Sequence, residues 1–141
     1  MQKLRETDDI HARRLEFCIL TGTRTNETVG ARWTEMDLEA GIWEIPVERL
    51  LKDQNREFPY RVPLVGRALE IVKSMPRDRE YVFYETAPHK RRLLNTNDFL
   101  GKLGDWRDKD GRPITVHGFR GTLKTLASEA TTFHAKLRKW P

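Results

Sequence analysis

The chain has 141 residues, a length that predicts one domain with its own buried core. Hydrophobic residues make up 38% of it and no apolar run is long enough to span a bilayer, so we expect a cytoplasmic protein without an export signal. Cys18 is the single cysteine, which excludes an intrachain disulfide and favours a buried thiol.

The net charge of +5 is unevenly distributed along the sequence. Residues 101–141 contain nine Lys/Arg and four Asp/Glu, whereas residues 1–100 contain 17 of each. The basic excess is consistent with a solvated tail or with a surface that attracts nucleic acid, and composition alone does not choose between them.

The apolar pattern predicts a helix over residues 10–20, capped by Asp8 or Asp9 and ended by Gly22. A second, short helix is expected over residues 26–33, with its first residue as the cap.

The middle of the chain predicts a small antiparallel sheet. Residues 41–46 alternate like a strand, residues 60–64 form its expected partner, and a charged turn containing Lys52 joins them. A helix is expected over residues 68–75, followed by a short apolar strand at 81–84.

The last predicted helix has the clearest pattern. Its apolar residues recur at helical spacing and form one seam: Val116, Phe119, Leu123, Leu126, Ala127 and Ala130. On the same helix, His117, Arg120 and Lys124 fall on a stripe beside that seam, at the edge of an expected cleft. A basic loop at 88–92 and a helix at 100–106 precede it. The expected fold class is therefore α+β, mostly helical with a small antiparallel sheet.

Three basic motifs stand in contexts that suit a phosphate. Arg24 lies three residues before Glu27, which could hold its guanidinium within one helical turn. His117 and Arg120 open a helix, where backbone N–H groups also favour an anion. Lys52 lies at a hairpin tip. Each motif alone is more simply a surface ion pair, a pair of surface residues or an ordinary turn lysine.

Taken in order, these residues resemble the catalytic domain of the tyrosine recombinases, the phage-integrase family. The shared motifs are Thr-Gly-x-Arg-x-x-Glu at 21–27, the hairpin lysine before Val-Pro-Leu at 62–64, and His-x-x-Arg at 117–120. The resemblance covers about residues 10–133 and is nearest to the integrases of bacterial genomic islands. It implies that residues 1–141 form a partial catalytic domain, without the N-terminal core-binding domain of the family.

The resemblance also implies a chemistry, transesterification on DNA attachment sites without metal or nucleotide. Arg24 and Arg120 would hold the non-bridging phosphate oxygens, and Lys52 would protonate the departing 5′-oxygen. His117 would assist proton transfer, and Glu27 would orient the site. The sequence has neither the spacing of a zinc site nor a Gly-Lys-Ser phosphate loop.

The sequence departs from the family in one consequential way, because no tyrosine follows Tyr84. His134 and Trp140 lack the sequence context of the family's second His or Trp, so we assign neither. We therefore expect a truncated domain, incomplete at its C-terminus, that cannot cleave DNA alone. An intact recombinase protomer could still supply the tyrosine.

Two alternatives remain open. The chain could be a non-catalytic DNA-binding remnant that competes for recombination sites, with Lys124 and its neighbours contacting only phosphates. It could also be a marginal fold that exposes apolar surface and binds nothing.

Overall fold

The computed structural model describes residues 1–7, 9–50, 55–84, 101, 103–104 and 106–130. The helices are α1 (Gln2–Glu6), α2 (Ile10–Thr21), α3 (Thr25–Val29), α4 (Gly66–Ser74) and α5 (Val116–Ala130). Three strands, β1 (Met36–Asp37), β2 (Ile42–Ile45) and β3 (Tyr60–Pro63), form an antiparallel sheet in the order β1-β2-β3. Two 3₁₀ turns, Trp33–Glu35 and Val47–Arg49, flank the sheet strands β1 and β2. The predicted α+β class is confirmed.

Helix α2 has the predicted boundaries. The Asp9 carboxylate accepts a hydrogen bond from the His11 N–H at 2.9 Å, so it caps the first turn. At the other end Gly22 adopts a left-handed conformation with φ of 62°, which glycine tolerates without steric cost.

Helix α3 corrects the prediction of a helix capped by Asn26 and continuing to residue 33. The helix begins at Thr25 because the Glu27 carboxylate accepts the Arg24 N–H at 2.7 Å, which places the capping contact two residues earlier. It ends at Val29, and Gly30 closes it by donating its N–H to the Asn26 carbonyl at 3.1 Å.

The predicted hairpin is confirmed, with Trp43 of β2 opposite Val62 of β3. Strand β1 was not predicted; it adds to the free edge of β2 through Met36, which also lies opposite Trp43. With only two residues, β1 carries too little alternating pattern to be recognised in the sequence.

The strand predicted at 81–84 is wrong: Tyr81 forms an isolated bridge with Arg32. Val82 and Phe83 are both fully buried in the same core cluster. Consecutive side chains of a strand point to opposite faces, so the chain bends here to bury both.

The core has two clusters, and together they join the sheet, α2 and α5. In the larger cluster Phe17 packs between Trp43 and Phe83, with ring centroids 5.6 Å and 5.3 Å apart. The smaller cluster joins α1, α2 and the start of α5 through its buried residues: Leu4, Ala12, Leu15, Cys18, Leu103 and Val116. The first turn of α5 is therefore fixed against α2.

Among the described side chains of the apolar seam predicted for α5, those that are buried or packed against the core lie near its beginning. Val116 is buried and Phe119 packs against the smaller cluster, whereas Leu123 and Leu126 are 39% and 56% exposed. The packed first turns of α5 also carry His117 and Arg120.

Candidate functional site

The junction between α2 and α3 holds the first arginine of the site. Arg24 Nη1 donates to Glu27 Oε1 at 2.8 Å, while the Arg24 backbone N–H donates to Glu27 Oε2. Glu27 is buried and the Arg24 side chain is 28% exposed, so one carboxylate holds both the backbone and the partly accessible guanidinium.

A chain of threonine hydroxyls stiffens the same junction. The Thr23 hydroxyl lies 2.9 Å from the Thr21 hydroxyl and 2.8 Å from that of Thr28, and Thr23 itself is 2% exposed. Buried, mutually satisfied hydroxyls fix the backbone on both sides of Arg24.

Helix α5 brings the second arginine to the same place. Arg120 Nη1 donates to the carbonyl oxygen of Gly22 at 2.6 Å, across 98 residues of sequence. Gly22 stands two residues before Arg24, so Arg120 contacts the chain close to the position of Arg24, and both guanidinium groups act on Tyr60. The Thr115 hydroxyl supports the start of α5 by accepting the Gly118 N–H at 3.0 Å.

Tyr60, at the start of β3, lies in the electrostatic field of both arginines. Burial raises the pKa of its phenol; Arg120, Arg56 and Arg24 lower that pKa, and Glu27 raises it, with a net upward shift. The Arg56 guanidinium also lies over the phenol ring, 5.3 Å from its centroid. The phenol therefore stays protonated at neutral pH beside a cluster of positive charge.

The remaining predicted site residues have less defined places. His117 and Lys124 are exposed on α5, on the same helix as Arg120, and no hydrogen bond or ion pair joins either side chain to another of the described residues. Lys52 lies outside the described residues, so its assignment stays a prediction, as does that of the loop at 88–92.

Two features of this region were not predicted from the sequence. Arg49 and Glu35 form an ion pair at 2.8 Å beneath α3, and Tyr60 lies beside the arginines. Neither feature belongs to a short motif. A signal was present only for Tyr60, as a tyrosine at the start of the strand after the predicted lysine turn.

The described part of the chain places limits on other kinds of site. It has no helix with the length and apolarity needed to cross a membrane. Within the same residues, no group of three or more His, Cys, Asp or Glu side chains is arranged to hold a metal ion.

Comparison with known proteins shows which family the chain resembles in sequence. The model of the phage integrase family matches residues 1–132. The chain is 40% identical to the prophage integrase IntA of Escherichia coli K12 over 116 residues, which are 79% of this chain and 26% of IntA. It is 39% identical over 69 residues to IntB of the same organism, covering 43% of this chain and 17% of IntB.

The fold is also similar to a solved one. The crystal structure of XerA recombinase superposes with a TM-score of 0.55 at 15% identity, covering 91% of this chain and 50% of that chain. The chain thus spans about a quarter of IntA and half of the XerA chain. The family match over nearly the whole sequence shows that this chain belongs to the phage integrase family, the tyrosine recombinases.

Proposed function

We propose that this chain binds DNA and contributes the phosphate-holding part of a tyrosine recombinase active site, in site-specific recombination. The observation that carries the proposal is that Arg120 contacts the Gly22 carbonyl oxygen, two residues before the Arg24 that Glu27 holds. Family membership supplies the reaction class, and the basic excess of residues 101–141 supports a nucleic-acid partner.

Two guanidinium groups suit a phosphodiester for physical reasons. Each is permanently charged and presents N–H donors in a planar fork that matches phosphate oxygens. Arg24 and Arg120 hold the two non-bridging oxygens and stabilise the charge that develops during attack at phosphorus. Glu27 keeps the Arg24 guanidinium in place before DNA arrives, so the site is organised in advance.

The reaction exchanges one phosphate ester for another. A tyrosine oxygen bonds to phosphorus, the bond to the 5′-oxygen breaks, and a 3′-phosphotyrosyl linkage conserves the ester. Lys52 donates the proton that the departing 5′-oxygen takes up, and His117 assists proton transfer. A 5′-hydroxyl of the partner strand later reverses the step.

The nucleophile of this reaction comes after the His-x-x-Arg motif in the family, whereas Tyr60, Tyr81 and Tyr84 all precede His117. We therefore propose that residues 1–141 by themselves hold phosphate without forming a covalent bond to DNA. A tyrosine from outside these residues would complete the reaction.

The test has two arms, both with attachment-site DNA. Fluorescence anisotropy at low salt should show binding that weakens steeply as salt rises, since phosphate contacts release counterions. Incubation with a nicked or phosphorothiolate substrate should give no protein–DNA adduct with this chain alone. Absence of binding at low salt would contradict the DNA-binding function, and an adduct with this chain alone would contradict the missing nucleophile.

A further inference from the structure

Arg49 connects the sheet to the helix that carries the first arginine. It ends the 3₁₀ turn Val47–Arg49, and its Nη2 donates to the Glu27 carbonyl oxygen at 3.1 Å. The same Nη2 donates to Glu35 Oε2 at 3.0 Å, and Nε lies 2.8 Å from Glu35 Oε1. One guanidinium thus joins α3 to a buried carboxylate.

Glu35 is itself anchored in the core. Its Oε2 accepts the indole N–H of Trp43 at 2.9 Å and the Arg32 backbone N–H at 3.3 Å. Trp43 is fully buried and packs against Phe17 of α2. The position of the Arg49 guanidinium is therefore set by a carboxylate that is anchored to the packed core.

Gly30 leaves the space through which Arg49 passes. A Cβ atom at residue 30 would overlap Arg49 Nη1, although the φ of −88° at Gly30 suits any residue. Glycine at residue 30 therefore leaves the room that the Arg49 guanidinium occupies beneath α3.

We infer that Arg49 is a positioning residue for Arg24, acting through Glu27; this inference rests on the proposed phosphate-holding role of Arg24. Glu27 is held at two points, by Arg49 at its carbonyl oxygen and by Arg24 at its carboxylate. Helix α3 has only five residues, and so short a helix depends on tertiary contacts for its position. Without Arg49, α3 shifts and the Arg24 guanidinium moves with it.

Two variants separate this role from general stabilisation. Arg49→Ala removes the guanidinium, whereas Gly30→Ala keeps the charge and displaces the guanidinium from the Glu27 carbonyl. Arg61→Ala is the matched control, because Arg61 lies on β3 of the same sheet and pairs with exposed Glu44 at 2.6 Å. The first readout is the Nε–Hε signal of Arg24 in ¹H–¹⁵N spectra of the free protein, assigned with Arg24→Lys.

We expect both Arg49→Ala and Gly30→Ala to shift the Arg24 signal, and Arg61→Ala to leave it in place. An unchanged Arg24 signal in both variants would overturn the inference. This arm needs no DNA, so it decides the positioning role even if the wild-type chain fails to bind DNA and the proposed function is wrong.

The second readout is a double-mutant cycle on affinity for a fluorescein-labelled attachment-site duplex. Arg49→Ala should weaken binding about ten-fold in the wild-type background, since small displacements of a positioned group are costly. It should have little further effect in the Arg24→Ala background, because the group that it positions is already gone. A loss of equal size in both backgrounds would show a merely structural role.

Discussion

Arg120 and Gly22 are joined by a 2.6 Å hydrogen bond from the Arg120 guanidinium to the Gly22 carbonyl oxygen. This bond connects the first turns of α5 to the end of α2, at the junction where Arg24 begins the next segment. The left-handed conformation of Gly22 turns the chain at that junction. The turn at Gly22 thus affects where the Arg120 guanidinium lies relative to the segment that carries Arg24.

Gly22→Ala is expected to destabilise the fold. A Cβ at φ of 62° costs about 1–2 kcal/mol, and here it would also lie 2.6 Å from Leu123 Cδ2. Gly121→Ala is the control, and its expected effect on stability has the opposite sign. Gly121 is exposed in α5, and none of the described residues places an atom within 4 Å of its Cβ position. There alanine should stabilise the helix by about 0.5–1 kcal/mol. Urea unfolding of both variants measures the difference, and equal effects would contradict the role of Gly22.

Glu27→Gln is expected to lower the free energy of unfolding by about 1–3 kcal/mol, because the buried carboxylate loses its charge and one of the two oxygens that accept from Arg24. Glu44→Gln is the control, since Glu44 and its partner Arg61 are 41% and 70% exposed. Loss of an exposed pair should cost less than about 1 kcal/mol. Chemical denaturation checks both, and a Glu27→Gln variant as stable as Glu44→Gln would show that the buried pair has no special role.

Lys124→Ala should change DNA binding without changing the fold. The Lys124 side chain is exposed, so its removal should alter stability by less than about 0.5 kcal/mol. If Lys124 contacts a phosphate, the slope of log affinity against log salt should fall by about 1. Lys73, exposed on α4, is the control whose replacement by alanine should leave the slope unchanged. An unchanged slope for Lys124→Ala would remove it from the DNA surface.

The buried thiol of Cys18 should make the free energy of unfolding depend on pH in the alkaline range. Burial raises the pKa of its thiol from 9.0 to about 11 in the folded protein. Between pH 9 and 11 the unfolded chain loses this proton while the folded protein keeps it, so stability falls as pH rises through that range. The total loss is about 3 kcal/mol. Cys18→Ala should show a smaller decline over the same range, measured by urea unfolding at each pH. An identical decline in both proteins would contradict the raised pKa.

The sequence predicted the elements whose signals are local. Helix α2 has a capping aspartate and a terminal glycine, the β2–β3 hairpin has alternating strands, and α4 and α5 have helical spacing. Each signal lies within one element, so it can be recognised without knowing what the element packs against.

The sequence predictions were wrong where a contact between elements decides the local structure. The start of α3 depends on a carboxylate that reaches back to Arg24, and the bend at 81–84 depends on burying two neighbouring side chains together. Motif order predicted Arg24, Glu27 and Arg120 as residues of one site. The contacts that bring them together, from Arg120 to Gly22 and from Arg49 to Glu27, join distant parts of the chain and leave no pattern in it.

The measurement that tests the central claim most directly is the DNA affinity of two charge-matched double variants at one low salt concentration. Arg24→Ala with Arg120→Ala removes the proposed phosphate site, whereas Arg61→Ala with Arg79→Ala removes two exposed arginines beside acidic partners. Loss of charged hydrogen bonds to a phosphate should weaken binding by the first variant at least about ten-fold. The second should bind nearly as tightly as wild type. Equal affinities of the two variants would show that Arg24 and Arg120 do not form a phosphate site.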